Sequence, residues 1–263
     1  MSVDGRPAAA FREPLRLGAY GVHVLTASGI VFLLLAAAEL CLPEPRAWFV
    51  FAMFLGAVVT DAIDGPLARS LNVKRNAAAI DGRTIDDIVD HIGFTFLPLV
   101  MIWRFGWVPD LGGVALPRVA WIALPAVCSL LGFAHRHAKD EAAGFFRGFP
   151  SYWNIAAFYA GLLAFALPGV GPWVNAVVLL ALAVLTVPPV WFLYPNLTPK
   201  KYKPLILGGG GVWALLLLAM LAFYPDVPLW LTLLSLVYPL IYTVLSVGLR
   251  DRWPARRDFR PAA

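Results

Sequence analysis

The sequence predicts an all-α integral membrane protein, one domain over residues 1–263 built as a bundle of about eight transmembrane helices with both termini cytoplasmic. Three observations predict it. Of the 263 residues 60% are apolar and 14% charged, where a soluble domain carries about a quarter charged residues. The apolar residues collect into runs near the roughly 20 residues that a helix needs to span a bilayer. The basic residues alternate loop by loop, as they do when positive charge is kept in the cytoplasm.

In chain order, a polar segment, residues 1–16, carries Pro7 and Pro14 and is read as cytoplasmic, with no cleavable signal peptide. Eight apolar runs follow, at roughly 17–42, 47–68, 85–105, 115–134, 151–168, 172–194, 205–224 and 227–249, and a basic tail closes the chain at 250–263. Eighteen of the 21 Lys and Arg residues fall before the first run, in alternate loops, or after the last. The other three are Arg46, Arg104 and Arg118. The net charge of +5 reads as this bias plus contact with anionic headgroups, not as nucleic-acid binding. Cys41 and Cys128 lie in apolar stretches and form no metal or redox motif. Pro125, Pro188, Pro189 and Pro239 are expected to kink membrane helices.

Ionisable groups inside a span are costly, and they mark function by default. The second and third runs break the rule together: Asp61, Asp64, Asp81, Asp86, Asp87 and Asp90 fall within thirty residues. Asp61 and Asp64 are spaced i, i+3 and Asp86 and Asp90 i, i+4, so each pair shares a helix face. Gly65, Ala68 and Gly82 continue those faces with little or no side chain, which leaves room for a ligand near the backbone. Asp81 and Asp87 lie off the stripes and are expected to be solvated or supporting. An ion-pair network with Arg69, Arg75 and Arg83 would explain the charges but not the small residues beside them.

Four facing carboxylates repel one another unless a cation neutralises them. An all-oxygen donor set points to Mn²⁺ or Mg²⁺, expected as a pair, rather than zinc. The four histidines, His23, His91, His135 and His137, form no metal set. Arg69 and Arg83 are the nearby cations suited to phosphate oxygens. The chemistry indicated is phosphoryl transfer from a diphosphate donor at the cytoplasmic membrane face.

At these residues the chain resembles the CDP-alcohol phosphatidyltransferase family. The family signature is an Asp pair, then Gly, then Ala-Arg, then Gly-x-x-x-Asp-x-x-x-Asp, and every fixed position is present between Asp61 and Asp90. The resemblance implies that Asp61, Asp64 and Asp86 ligate metal and that Asp90 is both ligand and general base. It implies that Gly65, Ala68, Arg69 and Gly82 accommodate the cytidine diphosphate group. Thr26 is implied as a nucleotide contact, with His23 standing where many members carry Asn. The twelve residues 70–81 exceed the family's usual spacer. That length is similar to the bacterial branch that joins free choline directly to CDP-diacylglycerol, as are the stretches Phe149–Asn154 and Tyr194–Pro199.

The implied reaction is therefore metal-dependent transfer of a phosphatidyl group from CDP-diacylglycerol to choline in the bacterial cytoplasmic membrane, among membrane lipids, with a homodimer expected from the family alone. Choline needs electron-rich ring faces. Tyr152 and Trp153, directly after the basic loop holding Arg147, are the candidates, although an interfacial aromatic belt explains them too. Other acceptors remain open: glycerol 3-phosphate, serine or inositol phosphate. Of the other classes, a prenyl-diphosphate transferase does not account for Gly-x-x-Ala-Arg. A cation transporter does not account for carboxylates confined to one membrane side.

Overall fold

The computed structural model describes residues 12–112, 115–135, 139–140, 144–195, 198 and 201–250. The N-terminal segment before residue 12 and the basic tail after residue 250 lie outside them. The chain forms two compact units, residues 1–93 and 94–263.

The first unit is built on a helical hairpin. Helices α1 (Arg12–Leu40) and α2 (Ala47–Ser70) are joined by a short loop. Glu39 fastens that loop: it accepts from the backbone N–H of Arg46 (2.8 Å) and, through both carboxylate oxygens, from the Arg46 guanidinium (2.9 Å each). This is the paired, bidentate geometry in which an acid at the end of an apolar helix is tolerated. Beyond α2, Asn72 adopts a left-handed conformation (φ 48°), which Asn tolerates better than most residues. The turn starts the short helix α3 (Val73–Asn76). Val73 and Ala77 then pack on Ala19 and Val22 of α1, with Ala68 and Leu71 at the edge. Helix α4 (Gly82–Asp90) follows, with Asp81 as its N-cap. The Asp81 carboxylate accepts from the N–H of Arg83 (3.1 Å) and the hydroxyl of Thr84 (2.8 Å). The helical path continues through a π-helical turn, His91–Phe96, within which the first unit ends.

The second unit runs from α5 (Leu97–Arg104) through α6 (Ala115–Ala134), α7 (Trp153–Ala166), α8 (Gly171–Thr186), α9 (Gly209–Ala222), α10 (Leu229–Ser235) and α11 (Val237–Arg250). Three short strands, β1 (Lys139–Asp140), β2 (Phe145–Arg147) and β3 (Trp191–Leu193), form an antiparallel sheet in the order β1-β2-β3. Helix α7 is deeply buried, and Trp153, Ala157, Ala160 and Leu162 are nearly inaccessible. Asn175 of α8 donates to the carbonyls of Trp107 (2.8 Å) and Ala160 (2.9 Å), tying α8 to α7 inside an apolar environment.

The structure corrects the expected count of about eight spans. Among the described residues four helices are long and apolar enough to cross a membrane: Leu15–Leu40, Ala47–Ser70, Pro204–Ala222 and Leu229–Leu249. The apolar helices Arg118–Ala134, Trp153–Ala166 and Gly171–Thr186 are shorter. At 1.5 Å per residue, α7 and α8 extend only about 21 and 24 Å against a hydrocarbon core of about 30 Å. The cause lies in the breakers. In the run at 151–168 the helix α7 ends at Ala166, before Pro168 and Gly169, the latter at φ 83°. The run at 172–194 is cut by Pro188 and Pro189, which end α8 rather than kink it, and the residues beyond enter β3. The run at 85–105 begins in the charged helix α4 and passes through the π-helical turn.

Candidate functional site

The acidic faces read from the sequence meet inside the first unit. One carboxylate oxygen each from Asp61 on α2 and from Asp86 and Asp90 on α4 lie within 4.8 Å of one another. Asp64, one turn along α2 from Asp61, is buried, and its Oδ2 has no hydrogen-bond partner among the described residues. All four aspartates line one narrow cleft with Thr26, Gly29, Ala57, Thr60 and Val89. Small residues make the convergence possible. At Gly29 of α1 a β-carbon would stand 3.1 Å from Cγ1 of Val89, so α1 approaches α4 closely at the level of the acids. Thr26 and Thr60 donate their hydroxyl protons to the carbonyls of Val22 (3.1 Å) and Gly56 (2.9 Å). Their oxygens are left as acceptors in the cleft wall.

Electrostatics make the arrangement unstable by itself. Two unit charges 4.8 Å apart repel by about 3.5 kcal/mol at an effective dielectric constant of 20. The donor set fits a hard divalent cation: it is all oxygen, and ligands opposite each other on one ion of Mg²⁺ size stand about 4.2 Å apart, close to the spacing found. The orphaned Asp64 oxygen supplies a further donor beside the three that cluster.

The neighbouring residues divide by role. Arg69 is exposed, and one of its Nη atoms lies 3.5 Å from where a β-carbon on Gly65 would stand. Arg83 is exposed and pairs with Asp87 one turn along α4 (3.7 Å). Asp81 is committed to capping, and the Thr84 hydroxyl, ahead of the backbone N–H groups, holds its carboxyl below the usual carboxylate range. Gly82 and Ala68 face other parts of the protein. The ring of buried His23 covers Gly82, where a β-carbon would come within 2.6 Å of Cε1. Ala68 packs against the small cluster between α1 and α3. Sequence reasoning missed Gly29, Thr60 and the His23–Gly82 contact. Thr60 had a visible signal, a hydroxyl directly before Asp61 in an apolar run.

Tyr152 and Trp153 belong to the second unit. Trp153 is fully buried, edge-on to Phe149 at 5.3 Å, so its ring offers no open face. Tyr152 is 48% exposed and sits edge-on to Phe94 at 6.1 Å.

Converging carboxylates without nitrogen or sulfur ligands, set among apolar helices, define a membrane protein with an acidic cluster suited to a divalent cation. Comparison with known sequences gives the particular family. The profile of the CDP-alcohol phosphatidyltransferases matches residues 22–188, and the chain belongs to that family. It is similar to the phosphatidylcholine synthase of Pseudomonas aeruginosa, 33% identical over 199 residues, 74% of this chain and 76% of that protein. The phosphatidylcholine synthase of Bradyrhizobium diazoefficiens is 36% identical over 206 residues, 78% of this chain and 72% of the relative. That of Mesorhizobium japonicum is 32% identical over 217 residues, 80% and 75%. No solved structure matches the chain. The reaction class is that of a CDP-alcohol phosphatidyltransferase working over a clustered acidic site in a multi-pass membrane protein.

Proposed function

We propose that this chain transfers the phosphatidyl group of CDP-diacylglycerol to choline, giving phosphatidylcholine and CMP. The observation that carries the reading is the convergence of Asp61, Asp86 and Asp90 to within 4.8 Å inside the family's signature. The long spacer at 70–81 and the phosphatidylcholine synthases among its relatives support choline as the acceptor.

Asp61, Asp64, Asp86 and Asp90 would hold divalent cations, two Mn²⁺ or Mg²⁺, which would neutralise the diphosphate and the charge on the leaving CMP. Arg69 takes phosphate oxygens, and Gly65 leaves it room to do so. Thr26, in the cleft wall, contacts the nucleotide, with Ala68 and Gly82 keeping the helices close beside it. Asp90 accepts the proton of the choline hydroxyl. The choline oxygen bonds to the lipid-side phosphorus as the bond from that phosphorus to CMP breaks, and CMP leaves with the electron pair. Positioning and charge neutralisation supply most of the rate in such transfers.

The acidic end of α2 carries Arg69, with Lys74, Arg75 and Arg83 following, against Arg46 at the other end. That asymmetry supports a site facing the cytoplasm of a bacterial inner membrane. The test is an acceptor screen with purified full chain, labelled CDP-diacylglycerol and Mn²⁺ or Mg²⁺. Choline should outcompete serine, glycerol 3-phosphate and inositol phosphate. Better use of any of these would remove choline and leave the reaction class standing.

A further inference from the structure

The second unit holds a cavity that the acidic site does not use. Its volume is about 230 Å³, and Gly106, Pro109, Asp110, Arg118, Gly169 and Trp173 are among the residues that line it. Arg118 pairs with Asp110 there through one Nη. Its other Nη lies 3.5 Å from where a β-carbon on Gly106 would stand, so the guanidinium is held close over that glycine. The Nε of Arg118 is buried and has no hydrogen-bond partner among the described residues. A charged donor left in that state is costly, and an acceptor brought to it is rewarded. Trp121 donates its indole N–H to the carbonyl of Pro109 (3.2 Å) and stands edge-on to Trp173 (6.2 Å, 79°). Two indole rings therefore stand beside the ion pair.

Helices α6 and α8 fix where the cavity lies. Both begin beside it, α6 with Arg118 in its first turn and α8 with Pro172 and Trp173. Just beyond their far ends Arg147 ties them together. Its Nη1 lies 2.6 Å from Nε2 of His135, and its Nη2 donates to the carbonyl of Val187 (3.1 Å). The cavity is thus at the end of this helix pair remote from Arg147, at a level marked by tryptophan, the residue that collects where headgroups meet hydrocarbon.

An apolar track leads away from it. On α8 Trp173 is followed at helical spacing by Val177 and Val184, and the three are 52%, 67% and 60% exposed. On α6 Val119 stands next to Arg118, and Val127, Leu130 and Leu131 further along are exposed as well. A soluble anion gains nothing from such a face, whereas acyl chains do. The 16 residues of α8 extend about 24 Å against a hydrocarbon core of about 30 Å. Such a mismatch thins the bilayer and draws headgroups towards the helix end.

The lining offers a partner to each pole of a zwitterion. The planar fork of Arg118 suits phosphate oxygens, which its Nε and an Nη can bind side by side. An ammonium or trimethylammonium group a few ångströms further on meets the Asp110 carboxylate and the face of Trp173. We infer that this cavity is a headgroup site for a zwitterionic phospholipid, with the phosphodiester on Arg118, the amine towards Asp110 and Trp173, and the acyl chains along Val177 and Val184. The site is separate from the transfer reaction and does not depend on which alcohol the acidic site uses.

Native mass spectrometry of the purified full chain in detergent tests this. The probes are phosphatidylethanolamine, phosphatidylglycerol and soluble phosphoethanolamine, and the variants are Arg118→Lys, Arg118→Gln and Asp110→Asn. The wild type should retain one phosphatidylethanolamine and bind it about fivefold more tightly than phosphatidylglycerol. Arg118→Lys keeps the charge but lacks the Nε donor, and both Arg118 variants should weaken retention by about tenfold. Asp110→Asn frees the guanidinium and removes the partner of the amine, so the two lipids should bind within about twofold of each other. Phosphoethanolamine at equal concentration should not displace the lipid. Arg118→Lys that retains phosphatidylethanolamine as wild type does overturns the site, and a wild type indifferent between the two lipids overturns its zwitterionic character. Displacement by phosphoethanolamine at equal concentration would make a soluble phosphate ester the occupant and overturn the lipid assignment. Should Arg118→Gln fail to fold, Arg118→Lys, which can keep the ion pair, decides the matter.

Discussion

Replacing Asp90 by Asn separates the electrostatic account from a merely structural one, because the two predict opposite changes in stability. The carboxylate oxygens of Asp61, Asp86 and Asp90 lie within 4.8 Å of one another. Each pair then repels by about 3.5 kcal/mol at an effective dielectric constant of 20, so Asp90 carries about 7 kcal/mol of repulsion in the absence of metal. The three side chains are partly exposed, and solvent and salt screen most of that. A net relief of about 1–2 kcal/mol is what remains. In chelator at pH 8, Asp90→Asn should therefore unfold about 2–8 °C above wild type. With saturating Mn²⁺ the order should invert, because the variant binds metal with one charge fewer. Transfer should fall by about 10²–10⁴, the range for loss of a general base. The assays are thermal unfolding in detergent with and without metal, and CMP release. A variant that is less stable than wild type in chelator, or that keeps turnover within tenfold, would refute the reasoning.

Two further predictions follow from the first unit. Gly82→Ala places a β-carbon 2.6 Å from the His23 ring and should destabilise by about 1–3 kcal/mol, the cost of overpacking. His23→Ala in the same chain should recover most of it, which a double-mutant cycle in thermal unfolding would show. Asp81 has a folded-state pKa below its unfolded value because the Thr84 hydroxyl and the backbone N–H groups bind its ionised form. Its contribution to α4 is thus complete above the ordinary carboxylate range and is lost as pH falls through the lowered value. The protection factors of the amides at the start of α4, exchange rates divided into their intrinsic values at each pH, should fall on acidification in the wild type and be lower, with a flatter pH dependence, in Asp81→Ala.

The acidic site was legible because its signal is local. Charges at i, i+3 and i, i+4 within apolar helices can be read directly from spacing, and the cost of burying them singles them out. Features set by long-range partners were not. Gly82 reads as an open position on a carboxylate face, but His23, far earlier in the chain, fills the space above it. Ala68 likewise serves the contact between α1 and α3. The span count failed where hydropathy hides breakers: Pro188 and Pro189 sit in a run apolar enough to count as one helix, yet they divide α8 from a strand. Strands of two or three residues such as Phe145–Arg147 lie below what alternation can reveal. Trp153 shows the limit of composition, since an aromatic at a helix start reads alike whether it faces a ligand or, as here, the core.

The most direct test of the account counts products. Purified wild-type chain with labelled CDP-diacylglycerol, choline and Mn²⁺ should release CMP and form phosphatidylcholine one for one. Both should vanish in excess chelator and in Asp86→Asn, which removes a charge from the cluster. Undiminished turnover by protein shown to be metal-free, or by Asp86→Asn, would contradict the claim that the acidic cluster performs the transfer.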